Sequence, residues 1–232
     1  MRSALAVLGA SVFSLLGCNE DPGAGNGKGD HIPAWLPPPP TSVAYPPGPY
    51  DVMSGATIRN FGFPGYPDAQ ASMTVQQIQL ADFYNPTGTD VYPAASPYGA
   101  GKKKPLGLFI DIASVWCGPC NLEAKTELPA KYARYHPCGG EFLFQLAEGA
   151  APGTPATAQN LSAWTHAYKV DYPATFDKDQ QLSALYGGGS FPDGVIIDTH
   201  DMHILEVVSG VPDDSVWKTF ESTLDAACLS GH

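Results

Sequence analysis

Two cysteines separated by two residues are the most reactive feature of the sequence. Cys117 and Cys120 lie in the segment WCGPC, directly after an apolar run from Leu106 to Ala113. The run predicts a buried strand, and the helix-forming residues that follow predict a helix beginning at the cysteines. Unpaired backbone N–H groups and the helix dipole at such an end favour a thiolate over a thiol. The pair therefore predicts thiol–disulfide exchange, with Cys117 at the exposed tip as nucleophile and Cys120 as the resolving thiol.

An acidic residue interrupts the apolar strand. Asp111 lies six positions before Cys117, where every neighbour in the strand is apolar or glycine. Burial would raise the pKa of its carboxyl by desolvation, and the carboxyl could then exchange a proton with the inner thiol. Pro119 fits the first turn of the helix, where its missing N–H has no cost.

The segment resembles known redox families. WCGPC after an apolar strand, with an acid six positions earlier, is similar to thioredoxin, and Glu123 gives the CxxCxxE of membrane-anchored, extracytoplasmic thiol:disulfide oxidoreductases of the TlpA/ResA type. The resemblance covers roughly Gln77 to Cys228. It implies an α/β, thioredoxin-like fold, with a central mixed β-sheet flanked by helices and an N-terminal strand extension. It also implies protein substrates with disulfides or dithiols, and no cofactor.

The same resemblance implies a surface that contacts the substrate. In the family a cis-proline opens the third core strand and lies against the CxxC, and Pro192, six residues before Asp198, fits that spacing. A trans proline at the start of a strand is the alternative. The predicted substrate-contacting residues are Trp116, Gly118, Pro119, Phe191 and Pro192.

Glu123 allows two interpretations. It is either a buried carboxylate that tunes the inner thiol, as the resemblance implies, or an exposed helix residue paired with Lys125 or Lys131. Family members usually carry a helix-kinking proline five residues after the second cysteine, where this chain has Lys125. Pro129, four residues later, is the candidate to replace that kink.

The N-terminus has the pattern of an export signal. Arg2 is followed by an apolar run from Ala4 to Leu16, which is too short to span a bilayer. The run ends in Leu-Leu-Gly-Cys, which resembles the lipobox of bacterial lipoproteins, so residues 1–17 are predicted to be a signal peptide and Cys18 to carry lipid. An ordinary secretory peptide is the alternative, and both place the domain outside the cytoplasm. The lipoprotein would sit on the periplasmic face of a bacterial membrane, where a membrane redox partner could supply electrons.

Composition sets the domain plan. Residues 18–49 are rich in glycine and proline and predict an extended tether, so the domain is assigned to residues 50–232, with its N-terminal extension at 50–100. With 232 residues and 44% apolar content, the chain has material for one globular domain. The formal charge of −11 argues against nucleic acid as a partner.

Two cysteines remain after the redox pair and Cys18. In a thioredoxin-type fold the active-site helix and the last helix pack on one face of the sheet, so a structural disulfide between Cys138 and Cys228 is one interpretation. Two separate buried thiols are the other, because a free cysteine behaves as a small core residue.

Two other functions compete with disulfide exchange. A peroxidase of the peroxiredoxin group would carry Pro-x-x-x-Thr before its cysteine, and this chain has Ala-Ser-Val-Trp there. In the metal-handling alternative, Cys117 and Cys120 would bind copper or zinc with a histidine. His200 and His203 form an HxxH, but we assign them to a turn and predict no metal ligands.

Periodicity predicts the elements that must hold the site. The active-site helix should run to about Tyr135, and one or two edge strands should lie between Tyr50 and Tyr98. The later predicted elements are a strand at 141–147, helices at 158–169 and 180–186, strands at 195–198 and 202–209, and a last helix from about Asp214 whose apolar stripe ends at Cys228.

Overall fold

A seven-stranded mixed sheet forms the centre of the protein. The computed structural model describes residues 44–186 and 190–231. The strands are β1 (Gly62–Tyr66), β2 (Gln76–Gln79), β3 (Gly107–Ser114), β4 (Gly140–Glu148), β5 (Ala174–Phe176), β6 (Asp193–Asp198) and β7 (His203–Ser209). The helices are α1 (Gly118–Thr126), α2 (Leu128–Tyr135), α3 (Ala158–Tyr168), α4 (Asp214–Glu221) and α5 (Ala226–Leu229). The strand order is β2-β1-β5-β4-β3-β6-β7.

Strands β3 and β4 are buried at every position, which explains their nearly continuous apolar sequences. β3 pairs in parallel with β4 and antiparallel with β6, so it lies inside the sheet with neighbours on both sides. The chain that leaves its end enters α1 after only three residues. The cysteine pair therefore follows a buried strand that is paired on both sides.

Each face of the sheet has its own apolar core. On one face, helices α1 to α4 pack over an aromatic cluster in which the Phe109 ring lies 5.4 Å from Phe142 and 5.0 Å from Trp217, measured between ring centroids. On the other face, the N-terminal extension contributes Ile58 and Phe83 to a separate cluster. The predicted mixed sheet flanked by helices is confirmed.

Pro129 divides the predicted active-site helix. α1 ends at Thr126, and α2 begins at Leu128 with Pro129 in its first turn. A proline in a helix lacks the N–H for the backbone bond and its ring clashes with the preceding turn, so the helix is interrupted there. The proline thus takes the place of the kink expected at Lys125.

Two of the predicted elements need correction, and one strand was not predicted. The predicted helix at 180–186 is wrong: these residues form turns, because Gln180 has a φ of +52° and the Asp177 carboxylate accepts the Leu182 N–H at 2.9 Å. The last helix is not continuous, since α4 ends at Glu221 and Asp225 caps the separate helix α5. Strand β5 was missed, because three residues are too short to show a period.

The N-terminal extension lies where it was predicted. β1 pairs antiparallel with both β2 and β5, which adds two strands to one edge of the sheet. The predicted signal peptide, Cys18 and most of the predicted tether lie outside the described residues. In the part of the chain that the structure describes, no helix combines the length and hydropathy needed to cross a bilayer.

Cys138 and Cys228 form a disulfide, so the interpretation as two separate thiols is wrong. The bond joins the short 3-10 helix His136–Cys138, which follows α2, to helix α5. The Asp225 N–H donates to the Cys138 carbonyl at 3.0 Å beside it. The bond therefore ties the end of the active-site helix pair to the C-terminal helix.

Loss of this disulfide should destabilise the fold strongly. The two cysteines are 90 residues apart in sequence, and the chain entropy released by opening such a loop predicts that Cys138→Ala/Cys228→Ala lowers the free energy of unfolding by about 4 kcal/mol. Urea unfolding of the oxidised proteins measures this. Cys117→Ala/Cys120→Ala, which opens a far shorter loop, should lose clearly less, and equal losses would contradict the assignment.

Candidate active site

Cys117 caps the N-terminus of α1. Its Sγ accepts the backbone N–H of Cys120 at 3.1 Å and forms a disulfide with the sulfur of that residue, with an S–S distance of 2.02 Å. Pro119 lies in the first turn, where no intrahelical donor is needed. The predicted strand, cysteine pair and helix are therefore confirmed as one continuous unit.

The expected exposure of Cys117 is wrong. Cys117 and Cys120 are each 2% exposed, whereas Gly118 and Pro119 between them are exposed. The carbonyl oxygen of Phe191 lies 3.4 Å from the Cys117 Sγ and covers it from a distant part of the chain. The turn thus presents its Gly-Pro face to solvent and keeps both sulfurs enclosed.

The Phe191–Pro192 peptide is cis, as predicted. Pro192 is buried and directly precedes β6, which is paired with β3 up to Ile112. This pairing brings the start of β6 to the end of β3, and so brings Phe191 to Cys117. The predicted substrate-contacting residues Trp116 and Phe191 meet edge to face, with ring centroids 5.9 Å apart.

A buried glutamate holds Trp116. Glu148, at the end of β4, is 6% exposed, and its Oε2 accepts the Trp116 indole N–H at 2.6 Å. Its Oε1 accepts the side-chain amide of Gln180 at 3.1 Å. The sequence pattern did not reveal Glu148 or Gln180. Glu148 lies 32 positions from Trp116, and Gln180 lies 32 positions from Glu148. The one available signal was an acid directly after the apolar strand predicted at 141–147.

Asn121 braces the cysteine turn from inside α1. Its side-chain amide donates to the backbone carbonyls of Val115, at 3.1 Å, and of Cys117. The Tyr168 hydroxyl on α3 donates to the Asn121 side-chain oxygen. This residue was also missed, because an asparagine in a helix has no distinctive pattern. Asn121 thus connects the cysteine turn to helix α3.

The two predicted acids are both buried. Asp111 is 3% exposed and Glu123 is 2% exposed. Desolvation raises the pKa of each carboxyl, and the nearby Asp111 and Glu127 raise that of Glu123 further. Cys120 and Glu123, three residues apart, share the buried face of α1. Two carboxyls whose charged forms are disfavoured by burial therefore lie on the side of the helix that carries the inner sulfur.

The alternative in which Glu123 is exposed and paired with a lysine is wrong. Both of its carboxylate oxygens are buried and accept no hydrogen bond from any described residue. Lys125 is exposed, and the Lys131 ammonium lies 4.9 Å from the centre of the Trp217 ring. Glu123 is thus a buried acid that has no hydrogen-bond partner in the described part of the chain.

The histidines considered for metal binding are remote from the cysteines. His203 begins β7 and pairs with Asp198, which in turn pairs with Gly107 at the start of β3. Cys117 follows the other end of that eight-residue strand, about 25 Å away at the rise of a strand. Within residues 44–186 and 190–231, no three His, Cys, Asp or Glu side chains are grouped so that they could hold a metal.

Comparison with known proteins gives the fold. The sequence matches no family model and no curated protein. An uncharacterized conserved protein of Geobacillus kaustophilus is 16% identical, with a TM-score of 0.53 over 78% of this chain and 84% of that chain. A secreted thiol-disulfide isomerase of Corynebacterium glutamicum is 14% identical, with a TM-score of 0.51 over 75% and 86%.

A third similar structure is a thiol:disulfide interchange protein of a Bacteroides species. It is 12% identical, with a TM-score of 0.50 over 78% of this chain and 96% of that chain. These similarities span most of each protein at low identity. The chain has a thioredoxin-like fold.

The buried state of Glu123 predicts a specific pH dependence of stability. Its pKa in the folded protein is raised, whereas an unfolded glutamate ionises near pH 4.3. Because the folded protein retains this proton to higher pH, the free energy of unfolding should fall as pH rises above about 4. Glu123→Gln removes the titration, so the variant should match the wild type at about pH 4 and exceed it by about 1–3 kcal/mol at about pH 8.

Urea unfolding across this pH range measures the difference. Glu206→Gln, on strand β7, removes a carboxylate far from the helix and should keep the wild-type pH dependence. A Glu123→Gln variant whose stability follows the wild type at every pH would show that the carboxyl is not held uncharged.

Proposed function

We propose that the protein is an extracytoplasmic thiol:disulfide oxidoreductase that exchanges disulfides with protein substrates through Cys117 and Cys120. The observation that carries the proposal is the Cys117 sulfur at the N-terminus of α1, where it accepts the Cys120 N–H. An N–H donor and the helix dipole stabilise a thiolate more than a thiol at this position. Two of the similar structures are named as thiol-disulfide isomerase and interchange proteins, which agrees with this chemistry.

The reaction moves two electrons between two pairs of sulfurs. In the reducing direction, the Cys117 thiolate attacks one sulfur of a substrate disulfide, which breaks that bond and forms a mixed disulfide. The departing substrate thiolate takes a proton. Cys120 then loses its proton and attacks the Cys117 sulfur, which releases the second substrate thiolate and leaves the Cys117–Cys120 disulfide. The oxidising direction is the same sequence reversed.

Asp111 is assigned to the proton transfer at Cys120. The inner thiol must be deprotonated before it can attack, and it lies in an environment closed to bulk water. A buried carboxyl with a raised pKa can accept that proton near neutral pH. Glu123, on the same face of α1 as Cys120, is assigned the role of tuning the acidity of this pair.

The substrate chain is assigned to the surface beside Phe191 and Pro192. The Phe191 carbonyl lies next to the reactive sulfur, so a substrate strand that pairs with this backbone edge would bring its own sulfur to Cys117. Trp116, Gly118 and Pro119 form the other side of the contact. The negative formal charge of the chain disfavours nucleic acid as a partner.

The cellular location is part of the proposal. The predicted signal peptide and lipid on Cys18 would anchor the domain to a bacterial membrane, at its periplasmic face, through the Gly/Pro-rich tether at residues 18–49. The disulfide between Cys138 and Cys228 agrees with an oxidising compartment. If the protein acts as a reductant there, a membrane redox partner must supply electrons to the pair.

Redox titration tests the proposal. The purified protein, equilibrated in a series of glutathione or dithiothreitol buffers, should show a two-electron couple at Cys117–Cys120, because the two sulfurs are already bonded to one another. Alkylation of free thiols followed by mass spectrometry measures the reduced fraction. The wild type should also reduce insulin disulfides.

Cys117→Ser is the matched control and should lose both the couple and insulin reduction while it retains the Cys138–Cys228 disulfide. Stoichiometric copper or zinc in the purified protein, without thiol turnover, would contradict the proposal.

The role of Asp111 predicts a change in the pH dependence of the reaction. In the wild type, the rate of insulin reduction should rise with pH as Asp111 ionises, above the range of an ordinary carboxyl because burial raises its pKa. Asp111→Asn should remove that rise and slow the reaction by about 100-fold at neutral pH. Asp198→Asn, at the far end of β6, should keep the wild-type profile, and an unchanged profile in Asp111→Asn would remove Asp111 from the mechanism.

A further inference from the structure

The enclosure of Cys117 raises the question of how a substrate reaches it. Thiol–disulfide exchange requires the attacking sulfur to meet the attacked sulfur directly. Cys117 is only 2% exposed, so even a small dithiol cannot reach its Sγ in the arrangement described. Some group beside the sulfur must move in each cycle.

Two aromatic residues adjoin Cys117, one along the chain and one through its backbone. Trp116 directly precedes Cys117, and Phe191 places its carbonyl oxygen 3.4 Å from the Cys117 Sγ. The two rings pack edge to face with centroids 5.9 Å apart, and each side chain is half-buried. We call the Trp116 and Phe191 side chains the aromatic cover. The two residues that adjoin the enclosed sulfur thus carry side chains that pack on one another and reach the surface.

Glu148 holds this cover from the sheet. The Trp116 indole N–H has the Glu148 Oε2 as its acceptor at 2.6 Å, and a carboxylate is a stronger acceptor than an amide or a hydroxyl. Among residues 44–186 and 190–231, no lysine, arginine or histidine forms an ion pair with Glu148. The indole N–H is therefore one of the few groups that compensate the burial of this carboxylate.

Gln180 occupies the other oxygen of Glu148. Its amide donates to Oε1 at 3.1 Å, and its own backbone N–H donates to the Asp177 carbonyl at 3.0 Å. Gln180 has a φ of +52°, a conformation that costs energy for a residue with a side chain. The turn that adopts this conformation places the amide against Glu148, so both carboxylate oxygens are held and the position of the Trp116 ring is set.

We propose that Glu148 is a positioning residue that holds the aromatic cover closed over Cys117 and so sets the rate at which thiols and disulfides reach the sulfur. The inference rests on the proposed function. Glu148 has no hydrogen bond to either sulfur, so it controls access to the pair and leaves the equilibrium between its disulfide and dithiol forms to the helix terminus and the buried acids.

Reduction of the oxidised protein by dithiothreitol tests this role. One dithiothreitol thiolate attacks the Cys117 sulfur and displaces Cys120. The second thiol then releases Cys117, which leaves the protein as a dithiol and the reagent as its cyclic disulfide. Glu148→Ala frees the Trp116 indole and should raise the second-order rate about fivefold to tenfold. The redox potential, measured in the same buffers, should stay at the wild-type value.

Glu148→Gln supplies the conservative rescue. Its carbonyl oxygen can accept the indole N–H, and Gln180 can turn its amide to accept from the new side chain, so the rate should return to within about twofold of the wild type. Trp116→Phe keeps a ring and removes the N–H. In that background Glu148→Ala should have no further effect on the rate.

The outcomes separate this inference from the proposed function. If the wild-type pair cannot be reduced at any dithiothreitol concentration, the proposed function fails. If the wild type cycles but Glu148→Ala is reduced at the wild-type rate, or its rate changes only in step with its potential, the role of Glu148 is overturned and the oxidoreductase assignment stands. An equally large effect of Glu148→Ala in the Trp116→Phe background would also overturn it. Far-UV circular dichroism of each variant shows that the rate is measured on folded protein.

Discussion

The junction between β3 and α1 is the constraint on which the rest of the structure depends. A strand paired on both sides ends at Ser114, and a helix begins at Gly118, so the three residues between them have little freedom. In that short span the chain must place Cys117 at the helix N-terminus, where its sulfur accepts the Cys120 N–H. Asn121, bonded to the carbonyls of Val115 and Cys117, stabilises the same turn from within the helix.

Burial gives the groups around this junction their chemical character. Both sulfurs and both nearby carboxyls are almost completely enclosed, and enclosure disfavours the charged forms of Asp111 and Glu123. The same enclosure limits access to the sulfur. In the proposed function, acidity and access are set by different neighbours. The helix terminus and the buried acids act on the proton, whereas the side chains of Trp116, Phe191 and Glu148 act on the path to the sulfur.

The surrounding fold supports this arrangement through packing and a disulfide. An aromatic cluster fills the space between the sheet and helices α1 to α4, and the Cys138–Cys228 disulfide ties the end of the active-site helix pair to the C-terminus. The N-terminal strands extend one edge of the sheet, and neighbouring residues of the extension cover its second face. Both faces of the sheet are therefore covered. The cysteine pair lies at one end of the sheet, where the turn after β3 meets the start of β6.

The amino-acid sequence by itself determined the features that depend on local order. An apolar run followed by WCGPC predicted the strand, the cysteine pair and the helix. Pro129 predicted the break in the helix, because a proline acts on the turn that contains it. The cis peptide at Pro192 was implied by the family resemblance, through the spacing of Pro192 from Asp198. Tertiary structure alone decided that Cys117 is enclosed, that Glu123 is buried, that Cys138 is bonded to Cys228, and that Glu148 and Gln180 hold Trp116. These contacts join residues tens of positions apart, and burial depends on what the rest of the chain packs against a side chain, so no local pattern could have shown them.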